Sequence, residues 1–165
     1  MANMKEIYTR IKSIQDIMKI TNAMYLISSS KLKKARKKLL ETEPYFLKLQ
    51  DTIYEHEFFK RREEIPEEER KVGFLVVTAD KGLAGAYNHK VIKCAEEEME
   101  KYKNNFLFVV GQVGRQYFFK KGVSVDAEFM YTAQNPSLYR SEMISETMIY
   151  LFMQKELDDV YIIYS

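Results

Sequence analysis

Apolar positions in the first third of the chain recur in alternating steps of four and three. From Ile7 the series runs Ile7, Ile11, Ile14, Met18, Thr21, Tyr25, Ser28, Leu32, Ala35, Leu39, Thr42, Phe46, Leu49, Ile53 and His56. Eleven of these fifteen positions are apolar or aromatic. A repeat averaging 3.5 residues is the seam of a coiled coil, because it holds one stripe of a helix against a partner over many turns. No glycine occurs before Gly73. Residues 1–60 are therefore predicted as one long helix, extending roughly 80 Å at the usual helical rise. Pro44 interrupts the pattern, since it lacks an amide hydrogen and its ring strikes the preceding turn. A kink near 44, or a restart capped by Thr42, is expected there, with the heptad phase surviving across it.

Between Arg61 and Lys71 the sequence turns polar and acidic around Pro66, and residues 61–71 read as a linker. The period then changes. VGFLVVT (72–78), FLFVV (106–110) and VYIIY (160–164) are short, nearly charge-free runs of β-branched and aromatic residues, predicted as strands buried on both faces. GVSVDAEF (122–129) is a weaker fourth strand. Helices are expected near 87–103, 112–121 and 138–156, the last opened by Asn135-Pro136-Ser137. Strands alternating with helices predict an α/β unit over 72–165 with a mostly parallel sheet.

Net charge, at +2, names no partner, but its distribution does. Residues 1–60 carry 12 Lys/Arg against 7 Asp/Glu, and residues 61–165 carry 14 against 17, so the basic excess belongs to the helix. Within it, Lys31, Lys33, Lys34, Arg36, Lys37 and Lys38 place six cations in eight residues. A solvated helix face and a nucleic-acid site are two readings of this belt. No aromatic residue interleaves it and no base-reading module surrounds it. An acidic protein surface suits it better. Just before the belt, residues 14–27 set Ile14, Ile17, Met18, Ile20, Ala23, Met24, Tyr25, Leu26 and Ile27 around the whole circumference, as in a helix enclosed on all sides. A socketed segment with a cationic collar at its mouth is the reading.

No constellation for catalysis stands out. The turn TADKGLAGAYN (78–88), with Asp80, Lys81, Gly82 and Gly85, follows a strand and opens a helix, where α/β proteins cradle phosphates. It matches neither the P-loop nor the dinucleotide fingerprint. A tight turn with Gly82 at positive φ is the simpler reading, nucleotide binding the alternative. Gly111 and Gly114 are explained equally by close strand–helix packing. His56 and His89 stand apart from other metal ligands and read as surface residues. The glutamates at 67–69 and 96–98 read as linker and solvated face. The single cysteine, Cys94, excludes an intrachain disulfide. No apolar run is long enough to span a membrane.

Four segments together carry a resemblance. IKSIQDIMKITNAMYLISSSKLKKARKKL (11–39), FLVVTADKGLAGAYN (74–88), QNPSLYR (134–140) and LDDVYIIYS (157–165) resemble, in order and spacing, the gamma-subunit family of rotary F-type ATP synthases. The resemblance implies a long N-terminal coiled-coil helix followed by a Rossmann-like α/β foot domain, and a central stalk coupling ion flow to conformational change in catalytic subunits. It implies that the apolar stretch with Met24 lies within the catalytic collar. Lys19, Thr21, Lys31, Lys33, Lys34 and Arg36 would then face acidic loops of the beta subunits.

The foot turn Asp80–Gly85 would lie near the epsilon subunit and the membrane ring subunits. Partners are thus the alpha, beta, epsilon and ring subunits, with no nucleic acid, no direct membrane insertion, no cofactor and no catalytic or metal residue on this chain. The expected location is peripheral, on the cytoplasmic side of a bacterial plasma membrane. Family members continue beyond Tyr164 with more sheet and a second shaft helix. The expectation is therefore a short form with an incomplete sheet and half a shaft. Its bare seam is expected to self-associate through residues 7–53 or to dock on the foot domain.

Overall fold

The computed structural model describes residues 3–55, 65–66, 68–133 and 136–165. It forms two compact units, Met1–Arg62 and Glu63–Ser165.

In the first unit a single helix, α1, runs from Met4 to Glu55. The Asn3 carbonyl accepts the amides of Glu6 and Ile7 and closes its first turn. The helix passes through Pro44 without ending. The expected restart is not formed, because the Thr42 hydroxyl donates back to the Lys38 carbonyl at 2.8 Å instead of capping a new N-terminus. Proline removes one hydrogen bond from a helix interior, and the turns on either side carry α1 across that gap. Residues 56–60, including His56, lie outside the described residues.

The second unit is a four-stranded, all-parallel sheet with the order β3-β2-β1-β4. β1 spans Lys71–Val77, β2 Asn104–Val110, β3 Ala127–Phe129 and β4 Asp159–Ile163. The connecting helices are α2 (Tyr87–Met99), α3 (Gln112–Lys121) and α4 (Leu138–Met153). Because side chains alternate across a strand, β1 and β2 each serve two cores. Phe74, Val76, Leu107 and Val109 pack with Val91, Ile92, Ala95 and Phe118 from α2 and α3. Leu75, Phe108 and Val110 pack with Met148 of α4 and with Leu157. Each such side chain favours burial by about 1.5–3 kcal/mol, which is why these two runs carry no charge.

The chain order places α4 as the long crossover from one sheet edge to the other. Among the described residues β4 therefore pairs with β1 alone, Val76 opposite Ile163, and lies at the edge of the sheet. The expectation that its run is buried on both faces is corrected: Tyr161 is 41% and Ile162 59% exposed. β3 is also shorter than expected from 122–129. Gly122, at φ 75°, ends α3 in a left-handed turn, and the amides of Gly122 and Val123 return to the Phe119 and Phe118 carbonyls. Residues 122 and 123 are thus used in a helix cap, and pairing with β2 begins only at Ala127.

Candidate functional site

On α1 the candidate contact residues sit on a helix whose described side chains are exposed. The seam residues Ile7, Ile11, Ile14, Met18, Leu32 and Leu39 are 47–64% accessible. Ile17, Ile20, Ala23, Met24, Tyr25, Leu26 and Ile27 are exposed on the same stretch, so together with Ile14 and Met18 apolar surface encircles the helix just ahead of the cations. Lys31, Lys33, Lys34 and Arg36 are exposed in the next two turns. Lys19 pairs with Asp16 at 3.1 Å, one turn back. Thr21 donates its hydroxyl to the Ile17 carbonyl at 2.9 Å, which leaves its methyl as the outward chemistry. Lys37 lies 3.7 Å from Glu41, a pair of small energetic weight at this exposure.

In the second unit the TADKGLAGAYN turn is built around Thr78, which is 1% exposed. Its amide and hydroxyl both donate to the Val110 carbonyl at 2.8 Å. The same hydroxyl accepts the Gly114 amide at 3.0 Å, and the Ala79 carbonyl accepts the Val113 amide at 3.1 Å. The first amides of a helix have no intrahelical acceptor. The end of β1 thus caps α3 from outside its own segment. Next to it, the Ala79 amide donates to Asn88 Oδ1 at 2.8 Å, and the Tyr87 hydroxyl to the Val77 carbonyl at 3.1 Å. Burial pushes the Tyr87 hydroxyl pKa above its ordinary value.

This arrangement decides between the two readings of the glycines. A Cβ on Gly111, at φ 93°, would meet the Thr78 carbonyl oxygen at 2.3 Å, and one on Gly114 would meet Thr78 Oγ1 at 2.8 Å. Close packing requires both. The α3 amides at Val113 and Gly114 already have protein acceptors, which speaks against a phosphate cradle there.

Gly82 is corrected as well. Positive φ falls on Leu83 (62°) and Gly85 (57°), and Gly82 is not among the positive-φ residues. Leu83 is 96% exposed, so the turn presents an apolar tip, and Lys81 beside it is exposed. Asp80 Oδ1 accepts the Tyr131 amide at 3.0 Å. Arg140 donates to the Tyr131 carbonyl, and Gln112 Nε2 donates to the Tyr131 hydroxyl at 3.1 Å. The β1 turn is thereby tied to the segment before α4, where Ser137 caps the helix by accepting the Arg140 amide. Two of the four segments behind the resemblance, distant in sequence, meet at Tyr131. Gln134 and Asn135 lie outside the described residues.

The sequence reading did not single out Thr78, Tyr87, Asn88 or Tyr131. A polar Thr ending an otherwise apolar strand run was the available signal for the first of these. Cys94 is exposed on α2, and His89 is exposed. Among the described residues no group of three His, Cys, Asp or Glu side chains could hold a metal ion, and no helix is long and apolar enough to cross a membrane.

The profile of the ATP synthase family matches residues 3–165. The chain belongs to the ATP synthase gamma-chain family. It is 42% identical to the ATP synthase gamma chain of Acetivibrio thermocellus, across 100% of this chain and 58% of that one. It is 45% identical to the ATP synthase gamma chain of Ruminiclostridium cellulolyticum, across 99% and 58%. The gamma chain of Acetobacterium woodii, named as sodium ion specific, is 33% identical across 99% of this chain and 55% of its own length. The chain thus spans little more than half the length of these relatives. The nucleic-acid adaptor alternative finds no support in these relatives.

Proposed function

We propose that this chain acts as a central-stalk element of a bacterial ATP synthase, coupling ion flow to conformational change in catalytic subunits without performing chemistry itself. The observation that carries this is the order of surfaces along α1: apolar side chains exposed around the circumference over 14–27, then six cations over 31–38. A rotating shaft needs an apolar, low-friction tip inside a socket and a charge collar that reads the socket's mouth. In this reading Met24 lies within the collar formed by the alpha and beta subunits. Lys19, Thr21, Lys31, Lys33, Lys34 and Arg36 face acidic loops of the beta subunits. The unit carrying Asp80, Lys81, Gly82 and Gly85 faces the epsilon subunit and the membrane ring, with Leu83 as the apolar contact. The chain is peripheral, on the cytoplasmic side of the plasma membrane.

The test is co-sedimentation of the 165-residue chain with alpha and beta subunits of the Acetivibrio thermocellus ATP synthase over a salt series. Binding that weakens steeply as salt rises, and that is lost on changing Lys33, Lys34 and Arg36 to Glu, supports the reading. Binding indifferent to both salt and these substitutions refutes the assigned contact residues. Absence of binding at low salt refutes the stalk role for this chain.

A further inference from the structure

We infer that Arg70 is a mechanical clamp, a positioning residue that fixes the chain where it enters β1 so that motion of the α/β unit passes toward α1 without slack. The inference rests on the stalk reading, since a stalk has to transmit motion along the chain that joins its two units.

The clamp is built at the starts of two paired strands. The Arg70 guanidinium donates from Nε to the Ile65 carbonyl at 3.0 Å and from Nη1 to Oδ2 of Asp159, the first residue of β4, at 3.4 Å. Both side chains are sheltered, Arg70 24% and Asp159 14% exposed, so water and salt screen this pair less than they screen the surface pairs of the same unit. The next residue along each segment repeats the grip. The Lys71 amide donates to Asp158 Oδ2 at 2.8 Å, and the Asp158 amide to the Lys71 carbonyl at 2.8 Å. Two consecutive carboxylates at the start of β4 thus hold two consecutive residues at the start of β1.

The segment ahead of the clamp is folded short. The Glu69 amide donates to the Pro66 carbonyl at 2.9 Å, and the Glu69 carbonyl accepts Asn104 Nδ2 of β2 at 3.3 Å. Pulled straight, the five peptide steps from Ile65 to Arg70 would span about 17 Å. Arg70 keeps that length folded away by holding Ile65 from the far end. The pair between Lys103 and Glu68, at 3.6 Å and exposed on both sides, adds little.

This geometry calls for arginine. Nε and Nη1 lie in one rigid plane and address two acceptors at once, whereas an ammonium is a single charge on a flexible stem. A lysine at position 70 can reach Asp159 or the Ile65 carbonyl, but not both.

The experiment pulls single molecules of the full 165-residue chain between handles on the native thiol of Cys94 in α2 and on Thr52→Cys in α1, both positions exposed. Force applied this way enters the second unit along residues 65–70. The parent chain should hold until the α/β unit unfolds. Arg70→Lys and Asp159→Ala should each release up to about 17 Å of chain at lower force, with the unit then unfolding at the parent's force. Lys103→Ala, which removes only the exposed pair, should behave as the parent. Amide exchange at Glu69 should quicken about tenfold in Arg70→Lys while exchange at Phe74 and Leu75 of β1 stays unchanged.

An early release in the parent, or an Arg70→Lys chain that matches the parent in both readouts, overturns the inference. A lower unfolding force for the whole unit without a separate early release also overturns it, in favour of a plain contribution to stability. The measurement needs no partner subunit. A chain that fails to bind alpha and beta subunits can still show the clamp, and a missing clamp leaves the binding test standing.

Discussion

The capping of α3 by Thr78 offers a sharp test of how the second unit is held together. Thr78→Val keeps the shape of the side chain and removes its hydroxyl. Two hydrogen bonds go with it: the donation to the Val110 carbonyl at 2.8 Å and the acceptance of the Gly114 amide at 3.0 Å. The carbonyl keeps the Thr78 amide as a donor at 2.8 Å. The loss there is one ordinary bond, about 1 kcal/mol. The Gly114 amide has no such reserve, because it belongs to the first turn of α3 and faces a residue 1% exposed. A buried donor left unsatisfied costs about 1–3 kcal/mol more, and a methyl placed 3.0 Å from that nitrogen adds crowding.

The expected loss is about 2–4 kcal/mol, read in urea unfolding as a midpoint lower by roughly 1–2 M. Amide exchange at Gly114 should accelerate before the rest of α3 opens. Thr78→Ser retains the hydroxyl and should cost about 1 kcal/mol, the value of a buried methyl group. A Val variant as stable as the parent, or a Ser variant as damaged as the Val variant, would refute the assignment of the hydroxyl as the cap of α3.

Three glycines in and near the β1 and β2 turns should separate cleanly. Gly111→Ala, with a Cβ 2.3 Å from a carbonyl oxygen at φ 93°, should lose about 3–5 kcal/mol. Gly85→Ala, at φ 57° in open space, should lose about 1–2 kcal/mol, and Gly82→Ala, with nothing near it, should stay within about 0.5 kcal/mol. Urea midpoints of all three variants check the order. Tyr87→Phe should cost about 0.5–1.5 kcal/mol by removing the bond to the Val77 carbonyl. Burial raises the Tyr87 pKa, so its neutral form is favoured in the folded state. That contribution is fully present below the ordinary tyrosine pKa and is lost as pH rises through the raised value. Alkaline unfolding of the parent and the Phe variant should therefore differ in slope above the ordinary tyrosine range, and identical profiles would count against the buried phenol. Reversal of the Lys33, Lys34 and Arg36 charges should abolish salt-sensitive binding to catalytic subunits while leaving the melting of the α/β unit unchanged.

The exposed edge of the sheet is open to the same kind of reasoning. Val160, Tyr161 and Ile162 form a run as apolar as β1, yet β4 has a neighbour on one side only among the described residues. A strand composed for burial but left at an edge carries free backbone groups and accessible side chains. Composition could not distinguish the two positions, because strand order depends on where α4 crosses the sheet.

The sequence by itself determined the elements and their order. The heptad phase gave α1, because period 3.5 is a property of local spacing. The charge-free runs gave β1, β2 and β4, and alternation with helices gave the parallel sheet, because both follow from short-range pattern and connection rules. The family was also legible there, in four segments whose order and spacing survive in one chain. Other features needed the tertiary structure. That α1 continues through Pro44 depends on the balance between one lost hydrogen bond and the turns around it. That Leu83 and Gly85, not Gly82, adopt left-handed φ depends on how the turn is anchored by Asp80 and Asn88. That Thr78 caps α3, and that Asp80 meets Tyr131 beside Arg140, depends on bringing together strand ends far apart in sequence. Hydrogen-bond partners across such distances are set by sheet order and helix placement, which local pattern does not encode.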